Sequence, residues 1–355
     1  MTAAPADAAP AHVHRDGAAL VEDVRGILLR LGLCTVDEPL RVAPLEGGVS
    51  SDIVHVRVGD RDLCVKRALP RLKVSADWRV PVSRSASEAR WLAVAGRLRP
   101  GRVPRLLGWD TAGGAIAMQW LDPAAHPVWK AQLRDGHCAP AFAAQVGALL
   151  AGLHADTARC DDLARDFDTG DLFHALRLEP YLLATARAHP ALAPTLRALA
   201  EATGQRHLAL VHGDASPKNL LVAGDGPVLL DAECAWYGDP AFDAAFCLNH
   251  LLLKAAWRPG HRDGYRACFE ALVDAYLAGV RWEPAAGVAA RVAALLPALM
   301  LARVDGKSPV EYLDEAARAR VRAFSVERLG CPGDDPRRIA DDWYAGIDPD
   351  DGARR

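Results

Sequence analysis

Apolar residues alternate along the first third of the chain and recur at helical spacing along the rest. Over Ile53–Val58, the residues Val54, Val56 and Val58 point to one face and His55 and Arg57 to the other. Gly59-Asp60 marks a turn. Arg61–Arg67 predicts the next strand, with Leu63 and Val65 opposite Cys64 and Lys66. Further strands are predicted over Arg41–Leu45, Val103–Trp109 and Ala115–Trp120, and helices over Ala18–Leu31 and Ser85–Leu98. Beyond Asp122-Pro123 the period changes. Ala141–His154 places Phe142, Val146, Leu149, Leu150 and Leu153 on one stripe. The same spacing predicts helices over Leu172–Arg187, Ala191–Thr203, Pro240–Ala255, Arg262–Leu277, Ala286–Arg303 and Val310–Leu329. A β island interrupts them: His207–Val211, Leu220–Val222 and Val228–Leu230 surround the loop His212–Asn219 and the turn Gly224-Asp225-Gly226. The fold class that follows is α+β and two-lobed. A disordered tail (1–17) precedes a β-rich lobe with one helix (18–121) and a mainly helical lobe (122–355).

The 355 residues suffice for two such lobes, and 51% hydrophobic with 25% charged residues is ordinary globular composition. A formal net charge of −3 gives no basic field for nucleic acid or an anionic membrane, so neither is expected as a partner. The Ala- and Pro-rich start lacks a signal-peptide pattern, and the most apolar stretch, Ala293–Ala302, is too short to cross a bilayer. None of the eight cysteines forms a C-x-x-C pair, so reduced thiols and a cytoplasmic location are expected.

Chemistry concentrates in the β island. Asp214 follows an apolar strand, Asn219 lies five residues on, and Asp231 follows the next hairpin. A loop carboxylate can orient a hydroxyl and take its proton, while an Asn and a second Asp supply hard oxygen ligands for Mg²⁺. Phosphoryl transfer from ATP needs this set, and D-x₄-N matches a kinase catalytic loop. Glu233 shares a face with Asp231 if the backbone is extended, as a further metal ligand. The plain alternative is that these residues only cap and turn. His212, Asp239 and Asp243 read as braces of the loop.

In the first lobe, Glu46-Gly47-Gly48-Val49-Ser50-Ser51 joins two strands, and Gly47, Gly48 and Ser50 offer backbone N–H groups to phosphates, or form a plain hairpin. Lys66 is either an edge lysine or a phosphate ligand held by a helix carboxylate. Glu88 is that candidate carboxylate, although Ser85-x-x-Glu88 also reads as a capping box. Gln119 and Leu121, at the end of the last strand, are candidates for presenting backbone groups to adenine.

The string His212-Gly213-Asp214-Ala215-Ser216-Pro217-Lys218-Asn219, then Asp231-Ala232-Glu233 and Gly238-Asp239-Pro240-Ala241-Phe242-Asp243, resembles the aminoglycoside phosphotransferase and choline kinase superfamily. Val65-Lys66-Arg67-Ala68-Leu69-Pro70, Trp78 and the Asp-x-Glu pair look most like its methylthioribose kinase branch. The resemblance implies a protein-kinase-like fold with ATP and Mg²⁺ as cofactors and a sugar-like hydroxyl acceptor. It also implies a substrate-binding role for Arg303, which a helix-end cation fits equally well. The catalytic loop and the glycine loop depart from that branch. A metal-dependent phosphohydrolase, a non-catalytic nucleotide-binding module and a protein kinase are the competing readings. The first leaves Lys66 unexplained, and the last lacks an activation segment.

Overall fold

The structure, a computed structural model, describes residues 17–45, 50–70, 80–331 and 333–348. Five antiparallel strands form one sheet: β1 (Leu40–Pro44), β2 (Ser51–Val58), β3 (Arg61–Ala68), β4 (Leu106–Asp110) and β5 (Ala115–Gln119), in the order β1-β2-β3-β5-β4. The alternation read from the sequence sorts the two faces. Val54, Val56, Val58, Leu63 and Val65 share a core with Val24, Ile27 and Leu28 of helix α1 (Gly17–Arg30). Ile53, Cys64 and Lys66 face the other way, into a cleft. Helix α2 (Arg84–Leu98) backs that cleft, sharing a core with Ile116 and Met118 through Trp91, Leu92 and Ala95.

The chain then becomes helical. α3 (Trp129–Arg134), α4 (Pro140–Thr157), α5 (Asp161–Asp166), α6 (Gly170–Phe173), α7 (Ala184–Ala188) and α8 (Ala193–Gly204) precede the β island. α9 (Ala241–Trp257), α10 (Arg262–Ala278), α11 (Ala285–Asp305), α12 (Glu315–Gly330) and α13 (Pro336–Ala345) follow it. α4 and α10 approach so closely that a Cβ on Gly147 would lie 2.3 Å from the Leu272 carbonyl oxygen. In the island, β6 (Ala209–Val211) pairs with β9 (Trp236–Gly238), and β7 (Leu220–Ala223) with β8 (Gly226–Leu229).

Several expectations change in detail. The helix read over Leu172–Arg187 is α6, a π-helical run His174–Leu183 and α7. Pro180 lies inside the π-helical run, where a missing N–H breaks the α-helical ladder. The helix read from Val310 starts at Glu315, because Asp314 accepts a hydrogen bond from the Ala317 N–H at 2.9 Å and sets the N-terminus. The short elements α3, α5 and β9, and α13 beyond the last predicted helix, were not read from the sequence. The stretch Ala293–Ala302 belongs to the 21-residue α11, which is long and apolar enough by composition to cross a membrane. Two thirds (67%) of its apolar window is buried inside the fold, against α9 and α12 among others, as in a core helix.

Candidate active site

Lys66, on β3, is buried at the centre of a charge cluster. Its Nζ donates to Glu88 Oε2 at 2.7 Å, contacts Asp231, and lies 2.9 Å from Glu233 Oε1. Glu88 is therefore spent on the strand lysine and not on a capping box; the Ser83 cap of α2 makes no side-chain hydrogen bond. Glu233 is engaged on both oxygens. Oε1 receives Ser51 and Lys66, and Oε2 receives Arg84 Nε at 2.9 Å. Arg84, fully buried, also donates to the carbonyls of Ser50 and Leu69. It ties the start of β2 and the end of β3 to Glu233.

The Asp231–Glu233 pair does not arise from an extended backbone. Asp231 has φ +65°, a left-handed conformation that costs a non-glycine residue about 1–2 kcal/mol. The turn that follows carries Glu233 back to Lys66. Burial opposes the charge on Lys66, but Asp231, Glu233 and Glu88 overcome it and raise its pKa well above the ordinary value. Burial pushes Glu88 up to about 8, against the pull of Lys66 and with Asp231 and Glu233 adding to the rise. Three carboxylates here face two cations, Lys66 and Arg84; with the Glu88 carboxyl largely protonated at neutral pH, Asp231 and Glu233 balance the two cations.

The loop after β6 carries Asp214. Its Oδ2 takes three donors: Arg177 and Lys218 at 3.0 Å each and Asn219 Nδ2 at 2.9 Å. Burial works against ionisation, but Arg177 and then Lys218 hold its pKa below the ordinary carboxylate value. Arg177 sits in the π-helical run and also donates to the Gly213 carbonyl at 2.6 Å. Asp243, on α9, accepts from the His212 and Gly213 backbone N–H groups at 2.7 and 2.8 Å. His212 contacts the Leu230 carbonyl through Nε2 at 3.0 Å and receives the Asp214 N–H on Nδ1 at 3.1 Å. Gly213 has φ +76°, and a Cβ there would lie 2.5 Å from the Cys234 carbonyl oxygen. The loop is thus fixed from below by α9 and from the side by the turn after Asp231.

Lys66, Glu88, Asp214, Lys218, Asn219 and Asp231 line one cleft of about 900 Å³ between the sheet and the helices. At one end Leu45, Ile53, Met118, Leu221 and Leu230 make an apolar slot beside Gln119, Trp120 and Leu121. Lys66, Asp231, Asn219 and Asp214 occupy the middle. Tyr181, Phe246, Lys254, Arg303, Glu311 and Tyr312 line the far end. Arg303 binds Tyr181 Oη at 3.2 Å and Ser308 Oγ at 2.8 Å. Of the residues singled out from the sequence, Lys66, Glu88, Ser50, Gln119, Leu121, Asp214, Asn219, Asp231 and Arg303 line this cleft, with Glu233 behind Lys66. Gly47, Gly48 and Trp78 lie outside the described residues. Arg84, Arg177 and Lys254 went unremarked, because an isolated basic residue on a helix carries no local pattern that marks it; Lys218 stands in the quoted loop string but was given no role.

Residues 41–286 match the family model described as the phosphotransferase enzyme family. Methylthioribose kinase from Erwinia tasmaniensis is 29% identical over 225 residues, 55% of each chain. Methylthioribose kinase 1 from Oryza sativa is 25% identical over 246 residues, 61% of this chain and 57% of that protein. The chain thus spans somewhat over half the length of these relatives. Among solved structures, macrolide 2'-phosphotransferase from Brachybacterium faecium aligns over 93% of this chain and 98% of its own, with 20% identity and a TM-score of 0.48. Choline kinase from Streptococcus pneumoniae aligns over 88% and 99%, with 12% identity and a TM-score of 0.47. With the family match covering most of its length, the chain belongs to the phosphotransferase enzyme family.

Proposed function

We propose that the protein moves the γ-phosphoryl group of ATP, with Mg²⁺, onto a hydroxyl of a sugar-like small molecule. The observation that carries this reading is the shared cleft: Asp214 opens onto the same space as Lys66, Asn219 and Asp231. The apolar slot beside Gln119–Leu121 suits an adenine ring, and Lys66 beside it suits the phosphates. Hard oxygen donors gathered in the cleft fit a divalent cation, which Asp231 and Asn219 would hold. When bound, such an ion neutralises phosphate charge. The likeness to methylthioribose kinases over part of their length supports a sugar-like acceptor.

Asp214 Oδ2 is occupied by Arg177, Lys218 and Asn219, which leaves Oδ1 to receive the acceptor hydroxyl. The acceptor oxygen bonds to the γ-phosphorus as the bond from that phosphorus to the ADP oxygen breaks. ADP leaves with the electron pair, and the hydroxyl proton passes to Asp214. A carboxylate held ionised by two cations is a weak base, so it orients the hydroxyl early and takes the proton late. The test is calorimetry of ATP with Mg²⁺ on the wild type and Lys66→Met, followed by acceptor-dependent ADP release. The proposal expects tight binding that weakens in the variant. Absence of ATP binding by the wild type contradicts it.

A further inference from the structure

The geometry points to an acceptor that carries an anionic oxygen group, a carboxylate or a phosphate ester, seated on Lys254 at the far end of the cleft. The inference rests on the acceptor reading above and narrows it. Lys254, on α9, is only 1% exposed, yet it lines the cleft, and its Nζ has no hydrogen-bond partner among the described residues. The rings of Trp257 and Tyr312 flank it, each centroid 5.2 Å from Nζ. Ring faces stabilise a cation but leave its N–H donors unspent. Two further unpaired donors line the same end, Arg303 Nε and the Tyr312 hydroxyl. Glu311, the carboxylate beside them, pairs through Oε1 with Lys130 at 2.8 Å at the exposed rim. Burial, and then Arg303 and Lys254, hold His250 well below its ordinary pKa, so it adds no charge of its own.

Three unpaired buried donors, two of them on cationic side chains, call for a ligand that brings acceptor oxygens. A neutral hydroxyl accepts weakly and adds no charge to the partial compensation that the exposed Glu311 gives Lys254. A carboxylate or phosphate supplies both lone pairs and charge. A cationic acceptor would meet Lys254 and Arg303 as like charges. The aromatic walls at Tyr181, Phe246 and Tyr312 leave room for the polyol portion. Burial, and then Lys130, bring the Lys254 pKa down to about 8, so the ammonium persists at neutral pH.

Two triads of probes isolate the anionic group: glycerol, glycerate and glycerol 3-phosphate, and ribitol, ribonate and ribitol 5-phosphate. Calorimetry with Mg²⁺ and ADP present gives each dissociation constant for the wild type, Lys254→Met and Tyr312→Phe. At least one anion is expected to bind roughly tenfold or more tighter than its neutral counterpart, the value of one charge-assisted hydrogen bond. Lys254→Met should erase that preference and Tyr312→Phe should reduce it by a few-fold, about the value of a neutral hydrogen bond. ADP affinity should not change in either variant. The preferred triad member distinguishes carboxylate from phosphate ester. Equal binding of anion and neutral polyol, no binding of any anion, or an anion preference that survives Lys254→Met overturns the inference. Anion-selective binding without ADP release from ATP would keep the inference and refute the transfer reading.

Discussion

Lys66 and Glu88, one on the third strand and one on the helix behind it, meet at 2.7 Å with both side chains almost fully buried. A lysine that also touches Asp231 is held on the boundary between the sheet and the β island. Because Glu88 fixes the ammonium from behind, Glu88→Gln should leave Lys66 drawn toward Asp231 and Glu233. The expected result is a KM for ATP raised by roughly tenfold, the scale of one charge-assisted hydrogen bond. Steady-state kinetics at saturating acceptor check it, and an unchanged KM would make the pair purely structural.

Asp231 and Glu233 should separate by readout. Asp231 is about a quarter exposed, whereas Glu233 is buried and engaged by Ser51, Lys66 and Arg84. Asp231→Asn should raise the Mg²⁺ concentration for half-maximal activity while sparing the melting temperature. Glu233→Gln should lower stability by about 3–5 kcal/mol, because it strands the buried Arg84 charge. Denaturant unfolding and Mg²⁺ titration on both variants decide. A shifted Mg²⁺ requirement in Glu233→Gln without loss of stability would make Glu233 a metal ligand instead.

Lys254 predicts a pH dependence of stability. Its pKa falls from 10.5 in the unfolded chain to about 8 in the fold, with burial as the main cause. Between those values the unfolded chain holds the proton and the folded chain does not, so stability rises with pH across that window. Below about 8 the full penalty of a charged buried ammonium is present. Lys254→Met lacks this term. The stability advantage of the variant over wild type should therefore shrink between pH 7 and pH 10, read as the difference in melting temperature. A constant difference would contradict the buried-ammonium account.

Sequence pattern reached the sheet easily, because alternation along β2 and β3 sorts Val54 and Val65 from Lys66 without knowledge of what they touch. The gathering of Asp214, Asn219 and Asp231 in one cleft was legible through their spacing. The supports were not. Arg177, which pairs with Asp214, sits in the π-helical run that holds Pro180, and helical periodicity does not register that change. Arg84 reaches Glu233 across 149 residues. The joint face of Asp231 and Glu233 was expected for the wrong reason: a left-handed residue and a turn bring them together, not an extended strand.

The most direct test of phosphoryl transfer onto a hydroxyl at Asp214 compares wild type and Asp214→Asn in one assay of acceptor-dependent ADP release with ATP and Mg²⁺, alongside ATP affinity by calorimetry. The acceptors are sugars, thioriboses, sugar acids and amino alcohols. The account predicts ADP release that requires both Mg²⁺ and an acceptor. In Asp214→Asn, turnover should fall by about a hundredfold or more while ATP affinity stays near the wild-type value. Acceptor-dependent turnover that survives the substitution, or ADP release that no acceptor stimulates, would contradict it.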